Sequence, residues 1–177
     1  MAKKKAKGKF TVSLSELSQE IDLKSYLGRK PTAKEKKLFD DFAIDVIENR
    51  TLDGKNINGK KFKKYSESYA EFKGVTRDSV DMFLSGDMLD SMKRKKKEET
   101  DNTVFLHLDS KLETKIGYNH MTNKSKSNPL PKREFFGVTD SEAESIANKI
   151  RDKKANAKKV SLAELRAAIG LLDIEQG

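Results

Sequence analysis

The stretch from Thr32 to Arg50, TAKEKKLFDDFAIDVIENR, fixes the frame in which the rest of the chain is read. Thr32 and Glu35 stand at capping-box spacing, where each side chain satisfies a backbone N–H that a helix start leaves unpaired. Leu38, Phe39, Phe42, Ala43, Val46 and Ile47 then recur at steps of three and four, so they share one helical face. Lys34, Lys37, Asp41, Asp45 and Glu48 fall on the opposite face. The pattern predicts a long amphipathic helix ending near Arg50 or Thr51, with an apolar stripe that needs a second layer to cover it.

Upstream, residues 1–9 read as a flexible basic arm. Phe10, Val12 and Leu14 alternate with Thr11, Ser13 and Ser15, the period of a half-buried strand. Leu17 and Ile21 continue the apolar face into a turn, and Gly28-Arg29-Lys30-Pro31 breaks the chain. Downstream, 53–64 is a polar loop with two glycines, and a short helical piece from Tyr65 stops at Gly74. Ser85 is placed to cap a helix carrying Met88, Leu89 and Met92, whose end the run Lys93–Lys97 complements electrostatically. Val104, Leu106 and Leu108 alternate, as do Leu112, Thr114, Ile116 and Tyr118, with Asp109-Ser110-Lys111 between them, which predicts a β-hairpin. A polar loop leads to Pro129-Leu130-Pro131. Phe135-Phe136-Gly137-Val138 is a short apolar re-entry.

Thr139 and Glu142 make a second capping box ahead of Ala143, Ile146, Ala147 and Ile150. Ser161 and Glu164 make a third, ahead of Leu162, Leu165, Ala168, Ile169 and Leu172. The last helix can pack on the body or on a neighbouring subunit. The expected fold is α+β: a single domain with a long N-terminal helix packed on a small antiparallel sheet, plus C-terminal helices and a basic N-terminal arm. Its parts are the arm at 1–9, the α+β domain at 10–152, and a linker with the C-terminal helix at 153–177.

The chain has 177 residues, 35% apolar and 37% charged, so its core is modest. It has no cysteine, which excludes disulfides and thiolate metal sites and fits a reducing cytosol. No apolar run approaches the roughly 18 residues of a membrane helix, and no signal-peptide core follows the basic N-terminus. The net charge is +9. Lys3, Lys4, Lys5, Lys7 and Lys9 carry five charges, and Lys93, Arg94, Lys95, Lys96 and Lys97 carry five more; without these ten the remainder is about −1. The body is therefore near neutral with two basic patches, of a kind that attracts polyanions without reading sequence. The plainer and favoured reading is a solvated tail and a solvated helix end.

Chemistry-bearing patterns are sparse. His107 and His120 lack partners at metal-ligand spacing. Asp78, Asp81, Asp87 and Asp90 form a loose acidic cluster, from which a metal-dependent nuclease can be imagined, but their spacing matches no calcium loop. Gly54 and Gly59 lack the ending of a phosphate-binding loop, and Gly86 is not part of a nucleophile elbow. Aromatic residues do not interleave with the basic runs as stacking platforms do. No cofactor is expected, and an enzyme is not.

Four segments, taken in order, carry a family resemblance. Phe62-Lys63-Lys64-Tyr65-Ser66 follows the long helix and its glycine loop. Leu84-Ser85-Gly86-Asp87-Met88-Leu89-Asp90-Ser91-Met92 comes next, then Ile116-Gly117-Tyr118-Asn119-His120, then Pro131-Lys132-Arg133-Glu134-Phe135-Phe136-Gly137-Val138. Over residues 32–152 this set resembles the phage tail-completion, or virion morphogenesis, proteins. It departs from them at Asp87, where a basic residue is frequent, and in the lysine-rich loop after Tyr118.

The resemblance implies a structural virion protein that completes the tail or neck and joins head to tail. It implies a ring around the DNA channel, a hexamer being favoured, that meets tail-tube or tail-terminator and head-connector proteins. Its locations would be the host cytoplasm during assembly and then the virion, with no membrane partner. Ser85, Gly86, Leu89, Gly117, Pro131, Arg133, Phe135, Phe136 and Gly137 would be structural motif residues. Lys3, Lys4, Lys5, Lys93, Arg94, Lys95, Lys96 and Lys97 would face neighbouring subunits or make non-specific contact with packaged DNA. The alternative is a basic nucleic-acid-binding accessory protein.

Overall fold

The structure, a computed structural model, describes residues 9–12, 17–82, 86–94, 96–123 and 130–154. The Thr32–Glu35 capping box forms as the sequence predicts: the Thr32 hydroxyl accepts from the Glu35 N–H at 3.2 Å, and Glu35 accepts from the Thr32 N–H at 2.9 Å. Arg29 also grips Glu35, and this charged partner, with the bonds to Thr32, holds the carboxyl down at about 2. The helix that follows spans Ala33–Leu52 (α2). Phe39, Ala43 and Ile47 are fully buried along it, whereas Leu38, Phe42 and Val46 are only partly covered. Burying a side chain the size of Phe39 or Ile47 contributes about 1.5–3 kcal/mol.

The second layer is a four-stranded antiparallel sheet in the order β1-β2-β4-β3. Its strands are Lys9–Val12 (β1), Leu17–Asp22 (β2), Met92–Arg94 (β3) and Thr103–Leu108 (β4). Ile21 pairs with Val104 and Gln19 with Leu106, so Leu17, Gln19, Ile21, Val104, Leu106 and Leu108 share the core face. The expected turn at Leu17 and Ile21 is thus a central strand. Its alternation is hidden because Gln19 occupies an inward position where an apolar residue would have shown the period.

The predicted hairpin is corrected more sharply. β4 forms, but the segment after it is a helix, Lys111–Thr122 (α5). Ser110 caps it, accepting from the Glu113 N–H at 3.1 Å. In helical geometry Thr114, Gly117 and Met121 face inward, at steps of three and four. The Ile116–His120 segment is therefore helical, not the end of a strand.

A second correction concerns the lysine-rich run. The helix before it is a single turn, Asp87–Asp90 (α4), and its N-cap position is held by Gly86 at φ 91° without a side-chain cap. Ser85 itself lies outside the described residues. Met92–Arg94 are strand residues, so the run does not end a helix.

Two shorter helices complete the frame, Leu23–Leu27 (α1), closed by Gly28, and Glu67–Lys73 (α3), closed by Gly74 as predicted. A helix beginning at residue 140 continues through 154 (α6). Its Thr139–Glu142 capping box forms, with bonds of 2.8 and 3.2 Å, and Ala143, Ile146, Ala147 and Ile150 are buried as expected. Arg50 pairs with Glu142 at 2.6 Å and Lys154 reaches Glu35 at 3.6 Å, so α6 runs antiparallel to α2. The expected helix at 161–172 lies outside the described residues. None of the described helices is long and apolar enough to cross a membrane.

Candidate functional site

The re-entrant segment 133–138 is fastened to three elements. Phe135 and Phe136 are fully buried, and Gly137, at φ 101°, makes a turn that a side chain would strain. Arg50, at the end of α2, donates to the carbonyls of Phe135 and Gly137, both at 2.7 Å. Gln19 on β2 donates to the Val138 carbonyl at 2.9 Å and accepts from the Val138 N–H at 2.8 Å. Gly117 of α5 lies against the same segment: a Cβ there would come within 2.9 Å of Leu108, 3.2 Å of Leu17 and 3.5 Å of Phe135.

Arg133 joins this anchor to the Phe62–Ser66 segment. It is only 3% exposed. Its Nη2 donates to the Lys63 carbonyl at 3.0 Å, its guanidinium lies 5.2 Å from the centre of the Tyr65 ring, and its own N–H donates to the His120 carbonyl at 2.6 Å. Tyr65 is a hub. Its hydroxyl donates to Asp81 at 3.2 Å and accepts from Lys73 and from the N–H of Met82. His120 is shielded, and burial with the nearby Arg133 charge pulls its imidazole down to about 4. It is therefore neutral near pH 7.

The expected motif residues thus fall on one junction, with exceptions. Gly117, Arg133, Phe135, Phe136 and Gly137 meet there, and Pro131 edges it. Leu89 is the buried residue of α4, and Gly86 opens that turn.

The basic run divides. Lys93 is exposed and pairs with Asp109 at 2.6 Å. Lys96 is exposed, in a short turn over Lys96–Glu98. Arg94 is corrected: it points into the core between β3 and α2, where its side chain is 15% exposed and held by Glu99 and Asp40. Its guanidinium is engaged within the body rather than free at the surface. Lys3, Lys4, Lys5 and Lys95 lie outside the described residues.

The same inward position creates a charged knot that the sequence does not announce. Arg94 Nε is 2.8 Å from Asp40 Oδ2, but its N–H points to Glu99, and neither Asp40 oxygen accepts a hydrogen bond. Burial, with Glu99 adding to it, pushes the Asp40 carboxyl up to about 8 despite the Arg94 charge.

The loose acidic set does not converge. Asp78 pairs with Lys64, Asp81 with Lys73, and Asp87 and Asp90 belong to α4. Among the described residues no group of three His, Asp or Glu is placed to hold a metal ion. No protein-family model, no curated protein and no solved structure matches this chain.

Proposed function

We propose that this chain is a structural virion protein of a tailed phage, a ring-forming joint that completes the tail or neck between head and tail. What supports the reading is the convergence of segments that are far apart in sequence. Tyr65, Gly117, His120, Arg133 and Phe135 pack on one another through the contacts of Arg133 and the fit of Gly117. Their roles there are anchoring, turning and packing, which suits a scaffold that presents surfaces to neighbours.

In the assembled joint the ring encircles the DNA channel. Its contacts are heterologous, one face of each subunit meeting a different face of the next until the circle closes. Lys93 and Lys96 remain candidates for subunit or DNA contacts, and tail-tube or tail-terminator and head-connector proteins are the partners. Negative-stain images of the purified protein test the ring. Closed rings of uniform size support it, and a strictly monomeric particle at tens of micromolar would remove it.

A further inference from the structure

A cleft of about 610 Å³ opens between α3, α5 and the segment at Pro131, walled by Tyr65, Tyr69, Met82, Ile116 and Leu130. Arg133 and His120 line it as well. Each keeps one nitrogen without a hydrogen-bond partner, Nε of Arg133 and Nδ1 of His120. Arg133 is largely covered but lines the cleft, and among the described residues no carboxylate pairs with it. A buried cation left without a counter-charge is costly, so the site favours an anion that the described residues do not supply.

Apolar surface continues from the cleft. Tyr69 and Phe72, 6.3 Å apart on α3, are 36% and 74% exposed. On α5, Leu112 is 63% exposed, one turn from Ile116 on the same face.

We propose that this cleft receives the C-terminal segment, residues 161–175, of a second copy of the chain. The proposal rests on the ring reading above and names the contact that closes the ring. The segment has the matching chemistry. Leu162, Leu165, Ile169 and Leu172 recur at helical spacing, and Asp173 and Glu175 follow. In a chain of net charge +9, residues 161–177 carry three acidic side chains against the single cation Arg166. The apolar stripe covers Tyr69 and Phe72, and a carboxylate of Asp173 or Glu175 meets Arg133.

The ring reading, rather than path length, assigns the donor to a neighbour. Residue 154 sits beside Glu35 at the start of α2, whereas Arg133 touches Lys63, just past the end of α2. The 20 residues of α2 separate the two ends by about 30 Å. The residues from 155 to 173 span about 65 Å when fully extended, and about 45 Å with 162–173 helical. A chain can therefore reach its own cleft as well as the next copy's; in a ring the donor is the next copy. Head-to-tail donation of this kind is a heterologous contact that closes into a ring.

The absence of cysteine makes a direct test available. Full-length chains carrying Phe72→Cys or Leu172→Cys are mixed and treated with a short bis-maleimide, and a chain carrying both substitutions is treated alone. Light scattering on the untreated full chain is run in parallel. The expected result is covalent dimers containing one chain of each kind, and a ladder of multimers from the double variant. Arg133→Met and, separately, Ile169→Asp in the tail should each lower the cross-linked yield at least fivefold. Cross-linking confined within single chains overturns the proposal. So does a full chain that scatters as a ring but gives no 72–172 product, an outcome that leaves the ring reading standing. A monomeric full chain without cross-links overturns both.

Discussion

The Gln19 side-chain amide spans the N–H and the carbonyl of Val138, across 119 residues of sequence, with both bonds buried. A central strand is thereby stitched to the segment that precedes α6. Replacing Gln19 with Leu removes both bonds and leaves two backbone groups unpaired, which costs about 2–5 kcal/mol. Urea unfolding measures it. A loss below about 1 kcal/mol would mean that the segment is held by its phenylalanines alone.

Neighbouring residues of the basic run should behave differently. Arg94→Gln leaves Glu99 buried without its cation and should cost about 3–5 kcal/mol. Lys93→Gln breaks an exposed pair and should cost under about 1 kcal/mol. Equal effects in thermal or urea unfolding would contradict the inward placement of Arg94.

Asp40 makes stability depend on pH in an unusual direction. Its folded pKa, about 8, is above its unfolded value of 3.8, so the folded state binds more protons between them. The stabilisation is complete below about pH 4 and is lost as pH rises through about 8. Wild-type protein should therefore unfold at lower urea at pH 9 than at pH 6. Asp40→Asn should flatten that difference, and a variant that keeps the full wild-type slope would place the titrating group elsewhere.

Two glycines separate backbone strain from side-chain packing. Gly54 has φ 72°, and a Cβ there would lie 2.6 Å from the Val80 carbonyl oxygen, so Gly54→Ala should cost at least about 2 kcal/mol. Gly117→Ala meets the flexible end of Leu108 at 2.9 Å and gains helix propensity, so its net change should stay within about 1 kcal/mol. Gly117→Val, which overpacks the same contact, should cost about 1–3 kcal/mol. Differential scanning calorimetry on the three variants checks the order, and Gly54→Ala ranking as the mildest would refute the tight turn at Val80.

Much of the helical frame was legible because local chemistry agreed with tertiary packing. Thr32 with Glu35 and Thr139 with Glu142 both cap as their spacing implies, and Phe39, Ala43 and Ile47 face the core. The hairpin misreading came from two periods fitting one stretch. Leu112, Thr114, Ile116 and Tyr118 alternate, yet Ser110 with Glu113 is a helix start and Gly117 packs only from a helical face. Capping chemistry was the better signal there. Polar residues at inward strand positions, Gln19 and Arg94, hid one strand outright and led the other to be assigned to a helix end. Their partners, Val138, Asp40 and Glu99, are distant or on other elements, so no local pattern marks them. The motif residues Arg133, Phe135 and Gly137 were named from sequence, but Arg50, which fastens that segment, was not, because its acceptors are backbone carbonyls 85 and 87 residues away.

The central proposal, a joint between head and tail, is tested most directly by interrupting this gene where a tailed phage carries it and examining the particles by electron microscopy. Filled heads and separate tails should accumulate, and adding the purified protein to the lysate should restore joined particles. Normally joined virions in its absence would contradict the proposed function.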